Sequence, residues 1–205
     1  MRGIHKVLGV ALSVLFLVWF LSGLVMMYHT FPSVNEYDRL KKMDPLSAEG
    51  LPSIEQVAAR LPEGETIRRL TLDSYMGVPC FHVQGREGSY DLPADSCYRF
   101  PPTPDFDRIA THWVNAPIAR VDTLNELEQW IPFSRLRKEF PIYKYHFADE
   151  GRHELYLSSK SGRVLQLTDA KSRFWAWVGA IPHWIYFTSL RQDLERWSSV
   201  VVWLS

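Results

Sequence analysis

The sequence predicts an α+β protein with four parts: an N-terminal transmembrane helix, an extracytoplasmic ectodomain of two helix-plus-antiparallel-meander units, a C-terminal interfacial aromatic segment, and the start of a second membrane helix. Three observations carry this prediction. Val7 to Tyr28 is a run of 22 residues without a charge. Two middle stretches, 51–100 and 123–172, each set a helix-capping signature ahead of short alternating runs. Five of the eight tryptophans fall between Trp175 and Trp203.

Composition narrows the function classes. The 205 residues carry 23 Lys and Arg against 23 Asp and Glu, a balance that argues against a nucleic-acid binder, which needs a basic surface. Two cysteines cannot build a disulfide scaffold or an all-thiolate zinc site. An apolar content of 46% excludes a disordered chain.

Residues 1–6 form a short basic tail and 7–28 the span. As a helix the run is about 33 Å long, matching a hydrocarbon core of about 30 Å. The competing reading is a cleavable leader, which has a shorter apolar region and a small-x-small cleavage site. Here the run closes on Met26-Met27-Tyr28-His29, so we read an uncleaved anchor. Arg2 and Lys6 lie at one end and Arg39, Lys41 and Lys42 near the other, so the positive-inside count does not decide the orientation. A short basic tail is the usual start of an anchor with a cytoplasmic N-terminus, which places residues 30 onward outside the cytoplasm. Cys80 and Cys97 then lie where a disulfide survives, and closing their 16-residue gap would stabilise by about 3 kcal/mol. Two unpaired, packed thiols remain the alternative.

A polar linker, 29–50, leads into the first unit. Ser53 and Gln56 make a capping box, with Ile54, Val57, Ala58 and Leu61 on one helical face. Three extended pieces follow, Thr66–Leu72, Val78–Val83 and Ser89–Leu92, separated by Gly77, Gly85 and Gly88. After a connector, 101–122, the plan recurs. Thr123 and Glu126 suggest a second capping box with Leu124, Leu127 and Ile131 on one face, then a further helical piece at Phe133–Phe140. Ile142–Phe147 alternates, as do His153–Ser158 and Arg163–Thr168, the last two joined by the turn Ser159–Gly162. The stripe Tyr143, Tyr145, Phe147 reads as core under a helix.

In 173–188 the rings accumulate as they do at lipid headgroups, and Pro182 prevents one uninterrupted helix. Residues 189–205 read as the start of a second membrane helix: after the charged stretch Arg191–Arg196, the nine residues 197–205 look like its outer end, cut off after two or three turns, or else a tail that stays interfacial.

These residues resemble the PepSY-domain membrane proteins, the PepSY-associated transmembrane family. The likeness rests on Ile4-His5-Lys6-Val7-Leu8-Gly9, on the strand–turn–strand Tyr156–Val164, and on Arg173–Thr188 with its Pro-His-Trp-Ile-Tyr-Phe-Thr run. It covers nearly the whole chain. It implies a bacterial inner-membrane protein with a periplasmic PepSY ectodomain. Longer relatives continue through further membrane helices, and some act in iron uptake as haem-containing ferric-siderophore reductases. Stopping at Ser205 is a departure that puts a complete electron path in doubt.

Catalytic motifs are absent: there is no G-x-S-x-G, no H-E-x-x-H and no Gly-rich phosphate loop. His153-Glu154 reads as an exposed strand pair, and Cys80 with His82 as at most half a metal site. His5, His29 and His183 each sit at the end of an apolar segment and are the candidate axial ligands of a haem b. His5 and His29 lie about 36 Å apart along a helix and cannot share one iron. His29 with His183 is the pair that could, against the reading that both are interfacial packing residues. The run Arg135-Leu136-Arg137-Lys138 reads as a solvated face that meets anionic headgroups only if it faces the bilayer. The expected function is therefore a non-catalytic, membrane-anchored binding or assembly module. Its partners are the lipid bilayer and a membrane protein, or a second copy through the C-terminal segment. A haem-bearing part of a ferric reductase and a regulator of extracytoplasmic proteases are the alternatives.

Overall fold

The computed structural model describes residues 2–42, 46, 49–75, 78–97 and 104–204. The predicted turn at Gly77, part of the polar linker and Ser205 lie outside the described residues. The chain forms two compact units, one of Asn35–Asp105 and one of Met1–Val34 with Phe106–Ser205. It is a mixed α+β protein with an N-terminal apolar helix and two antiparallel sheets. In chain order the helices are α1 (Arg2–Met26), α2 (Glu36–Lys42), α3 (Ile54–Ala58), α4 (Phe106–Trp113), α5 (Ala170–Val178), α6 (Ala180–Trp184), α7 (Thr188–Arg191) and α8 (Leu194–Leu204). The strands are β1 (Ile67–Tyr75), β2 (Val78–Gly85), β3 (Ser89–Pro93), β4 (Ile118–Leu124), β5 (Ile142–Phe147), β6 (Glu154–Ser158) and β7 (Val164–Thr168).

In the Asn35–Asp105 unit, the start of the polar linker winds into α2, because Asn35 and Asp38 exchange backbone-to-side-chain bonds of 3.0 and 2.9 Å. The capping box expected at Ser53 is present: the Gln56 amide donates to the Ser53 hydroxyl at 3.3 Å, and the Ser53 amide to the Gln56 side chain at 2.8 Å. It starts α3, whose Val57 packs with Phe81 and Val83 of the β1-β2-β3 meander, flanked by Leu61, Leu70 and Leu72. One helix on one face of a small sheet buries that face. Glu65 ties the β2–β3 turn to the start of β1, accepting from the Arg86 amide at 2.6 Å and the Tyr90 hydroxyl at 2.9 Å. Desolvation opposes ionisation there, but these bonds and the Thr66 and Glu87 amides hold the carboxyl below its usual range.

The second unit departs from the expected plan. Residues 123–131 are not helical: Thr123 and Leu124 end β4, opposite Tyr143 and Ile142 of β5. The β-branched residues Ile118, Val121 and Thr123 favour the strand, and its ladder with β5 outweighs a short isolated helix. The helix of this unit is instead α4, inside the stretch read as a connector. The Phe133–Phe140 piece is a 3-10 helix, Ser134–Glu139. The sheet therefore has four strands, ordered β4-β5-β6-β7. Gly162, at φ 66°, closes the β6–β7 hairpin, its amide donating to the Ser158 carbonyl at 2.8 Å.

Both faces of this sheet are covered. On one, Tyr145 and Phe147 join Leu155, Leu157 and Val164 beneath Ala110 and Val114, at and just beyond α4, with Tyr143 packed alongside. The aromatic stripe is core under a helix, as expected. On the other, Ile142 and Tyr156 pack with Trp130, Ile131, Ala176 and Ile181, so α5 and α6 close the second face. A single helix per sheet was the expectation, and here there is a layer on each side.

Candidate functional site

The C-terminal end of α1 is built into this second unit. The helix from Gly3 to Met26 is long and apolar enough to cross a membrane, and most of it is exposed. Its last turns are covered by α5 and α6 through two close approaches. At Gly23 a side chain's Cβ would stand 3.0 Å from Cε1 of His183, and at Gly179 one would stand 2.9 Å from Cγ1 of Val25. Each helix thus offers a glycine notch to a side chain of the other, the small-residue packing that lets helix backbones come close. Gly179 also separates α5 from α6, so the break expected at Pro182 falls three residues earlier, and Pro182 sits in the first turn of α6 where its missing N–H costs little. Asp169 and Ser172 form a capping box that starts α5.

His183 lies flat on Trp19, ring centres 5.0 Å apart and planes 3° from parallel. Its Nδ1 donates to the Trp19 carbonyl at 3.1 Å and lies 3.3 Å from the Ser22 hydroxyl, which itself donates to the same carbonyl at 2.9 Å. Ser22, 2% exposed in an apolar helix, is thereby satisfied. His29 lies flat on Trp175 of α5 with centres 4.4 Å apart. Beyond α6 the chain reverses through Ile185, whose φ of 54° is strained for a β-branched residue. Gln129 holds the reversal, donating to the Tyr186 carbonyl at 2.6 Å and accepting from the Thr188 hydroxyl at 3.1 Å.

The sheet face under α5 carries a charged network. Lys144, nearly buried, donates to Glu128 at 2.8 Å and pairs with Glu154 at 3.1 Å. The Tyr156 hydroxyl bonds to Glu128 and, at 3.1 Å, to Glu154. Burial, then these carboxylates, push that phenol far above its usual range. His146 reaches Asp122 at 2.9 Å, and Arg173 lies 3.7 Å from Glu154. Glu154 is thus a member of a half-buried network and not half of an exposed pair, while His153 bonds to Asp149 at 2.5 Å. Every carboxylate in the network has a cation or a hydroxyl, which is how a buried charge survives.

In the other unit His82 on β2 bridges Asp73 on β1 at 2.6 Å and Asp91 on β3 at 2.5 Å. These hydrogen bonds, with desolvation opposing, raise its pKa to about 10 and lower that of Asp91. Both imidazole nitrogens are engaged, so the half metal site of Cys80 with His82 is taken up by carboxylates. Cys80 is a buried free thiol, pushed up to about 12 by burial and then by Asp91 and Asp73, and Cys97 is an exposed free thiol. The bridge between them does not form in this structure.

Of the predicted haem ligands, the structure keeps His5 near the start of α1 and His29 just past its end, while His183 comes from α6. With Nδ1 of His183 turned to the Trp19 carbonyl, Nε2 is the nitrogen a metal would need. A shared iron also needs a second imidazole turned to the same point. In this structure His183 lies on the Trp19 indole and His29 on the Trp175 indole. Among the described residues no group of three or more His, Cys, Asp or Glu side chains is arranged to hold a metal ion. The cross-strand contacts at His82 and Lys144 escaped sequence reasoning because they depend on register. Comparison with protein-family models finds no match, nor does comparison with curated proteins or with solved structures.

Proposed function

We propose that this chain is a membrane-anchored extracytoplasmic PepSY-like binding and assembly module, not catalytic by itself. It works in the bacterial inner membrane with its N-terminus in the cytoplasm. The observation that carries the reading is the docking of α1: an apolar helix whose last turns pack into the folded body through Gly23, His183, Gly179 and Val25. A leader removed by a peptidase would leave the His183 and Trp175 faces bare, which favours an anchor that is retained. The likeness to PepSY proteins and the helix-plus-meander of the Asn35–Asp105 unit support the module reading. Val202 and Trp203 of α8, 70% and 89% exposed, offer an apolar side to lipid or to a membrane partner.

Alkaline carbonate extraction of cells expressing the full chain tests the anchor. The intact chain stays in the membrane pellet, and protease added to spheroplasts digests residues after 30 while sparing the N-terminus. Recovery of the full-length, leader-bearing chain in the supernatant would overturn the reading, and protection of the body would reverse the orientation. Photo-crosslinking from position 203 then separates self-association from a second protein.

A further inference from the structure

Two arginines meet on one ring. The guanidinium of Arg135 lies 4.7 Å from the centre of Phe133 and that of Arg191 lies 5.3 Å from the same centre. Arg191 is further held 5.3 Å from Tyr186 and 4.5 Å from Trp197. Stacking on rings orients a guanidinium without neutralising it. Among the described residues neither arginine makes an ion pair, and Nε of Arg191 is shielded from solvent with no hydrogen-bond partner. The nearby Asp193 carboxylate is committed to the start of α8, where it accepts from the Arg196 amide at 3.0 Å. Two like charges gathered on one aromatic platform are short of an anion.

The position of the platform says which anion. Phe31, five residues past the last residue of α1, packs against Phe133 at 6.1 Å and Tyr186 at 5.6 Å. The arginines therefore sit one side-chain layer from Phe31, in the irregular stretch that follows the apolar helix. In a bilayer that is the level of the phosphates. Trp184 and Phe187, both more than 40% exposed, flank it with apolar surface suited to the upper acyl chains. A phosphodiester accepts the paired N–H groups of a guanidinium in a fixed geometry.

We propose that Arg135 and Arg191, presented by Phe133, Tyr186 and Trp197, bind the phosphate of an anionic phospholipid headgroup in the leaflet where α1 emerges. This inference rests on the membrane-anchor reading and specifies the lipid that the anchored body selects. The run Arg135–Lys138, read from sequence as a solvated face that meets anionic headgroups only if it faces the bilayer, then contributes its first arginine to the lipid and leaves the rest to water.

The test is native mass spectrometry of the full chain released from micelles containing equal amounts of phosphatidylglycerol and phosphatidylcholine. The wild-type chain retains phosphatidylglycerol in preference by tenfold or more. Arg135→Gln, an exposed position whose loss does not threaten folding, lowers the preference roughly fivefold. Arg135→Gln with Arg191→Gln brings the two lipids to parity. Arg68→Gln, which removes the same charge from the other compact unit, changes nothing. A wild-type chain without preference, or a preference that survives the double substitution, overturns the proposal. So does displacement of the lipid by an equal concentration of inorganic phosphate, which would mark a site for soluble anions. Sedimentation of the same protein without detergent reads the anchor separately. A chain that pellets yet shows no lipid preference defeats the headgroup site alone, and a chain that stays soluble defeats the anchor reading first.

Discussion

His82 is charged because a carboxylate flanks it on each neighbouring strand, so its contribution to stability depends on pH. Its pKa is raised from about 6.5 to about 10 in the folded chain. The stabilisation is therefore complete below about pH 6.5 and is lost as pH climbs through about 10. Asp91 works in the opposite sense: with its pKa lowered, its share is present at neutral pH and lost on acidification. Hydrogen exchange of β1–β3 amides followed from pH 6 to 10.5, after correction for intrinsic rates, should show protection falling toward the alkaline end. In His82→Asn that fall should be absent. Lys144→Met is expected to cost about 2 kcal/mol in a denaturant titration, because Glu128 and Glu154 lose their shared cation in a half-buried site. Pairing Lys144→Met with Glu128→Gln should recover part of that loss. At this scale the sequence was legible where the interaction is local. Ser53 and Gln56 are three residues apart, and a capping box needs nothing from elsewhere in the chain. Asp73, His82 and Asp91 are nine residues apart in each step, and only the strand register brings them together.

Among the elements, period was a good guide to strands and a poor one to the second helix. Ile142–Phe147 was legible because its odd residues are all aromatic and one sheet face must be buried. The Thr123 capping signature misled because the same residues make a good strand, and pairing with β5 decided between them. Helix α4 was hidden in a stretch taken as connector, although Phe106, Ile109, Ala110, Trp113 and Val114 recur with helical spacing. The packing of α1 against α6 was invisible, since nothing local in a uniformly apolar helix marks which side meets protein. The glycine notches make that packing testable. Gly179→Leu pushes against Val25 and Met26 and should weaken the docking of α1 by about 2 kcal/mol. Read as limited proteolysis of detergent-solubilised protein, cleavage in residues 27–35 should become faster while the Asn35–Asp105 unit keeps its resistance. His183→Ala, which removes a stacked ring and one hydrogen bond, should act in the same direction and more mildly.

For the whole molecule, the docked helix means the anchor and the body do not move independently. On the side of α1 that meets α6, protein contact begins at Trp19, so only Gly3 to about Trp19, a length of about 25 Å, is free all round, while Phe20, Leu21 and Leu24 stay exposed on the other side. That is shorter than the hydrocarbon thickness of about 30 Å. In the proposed setting the shortfall must be met by sinking α6 a few ångströms into the outer leaflet or by pinching the lipid around the protein. Where the lipid yields, the molecule would carry a dimple of thinned bilayer on that side, and would favour neighbours and membrane regions whose own spans are equally short.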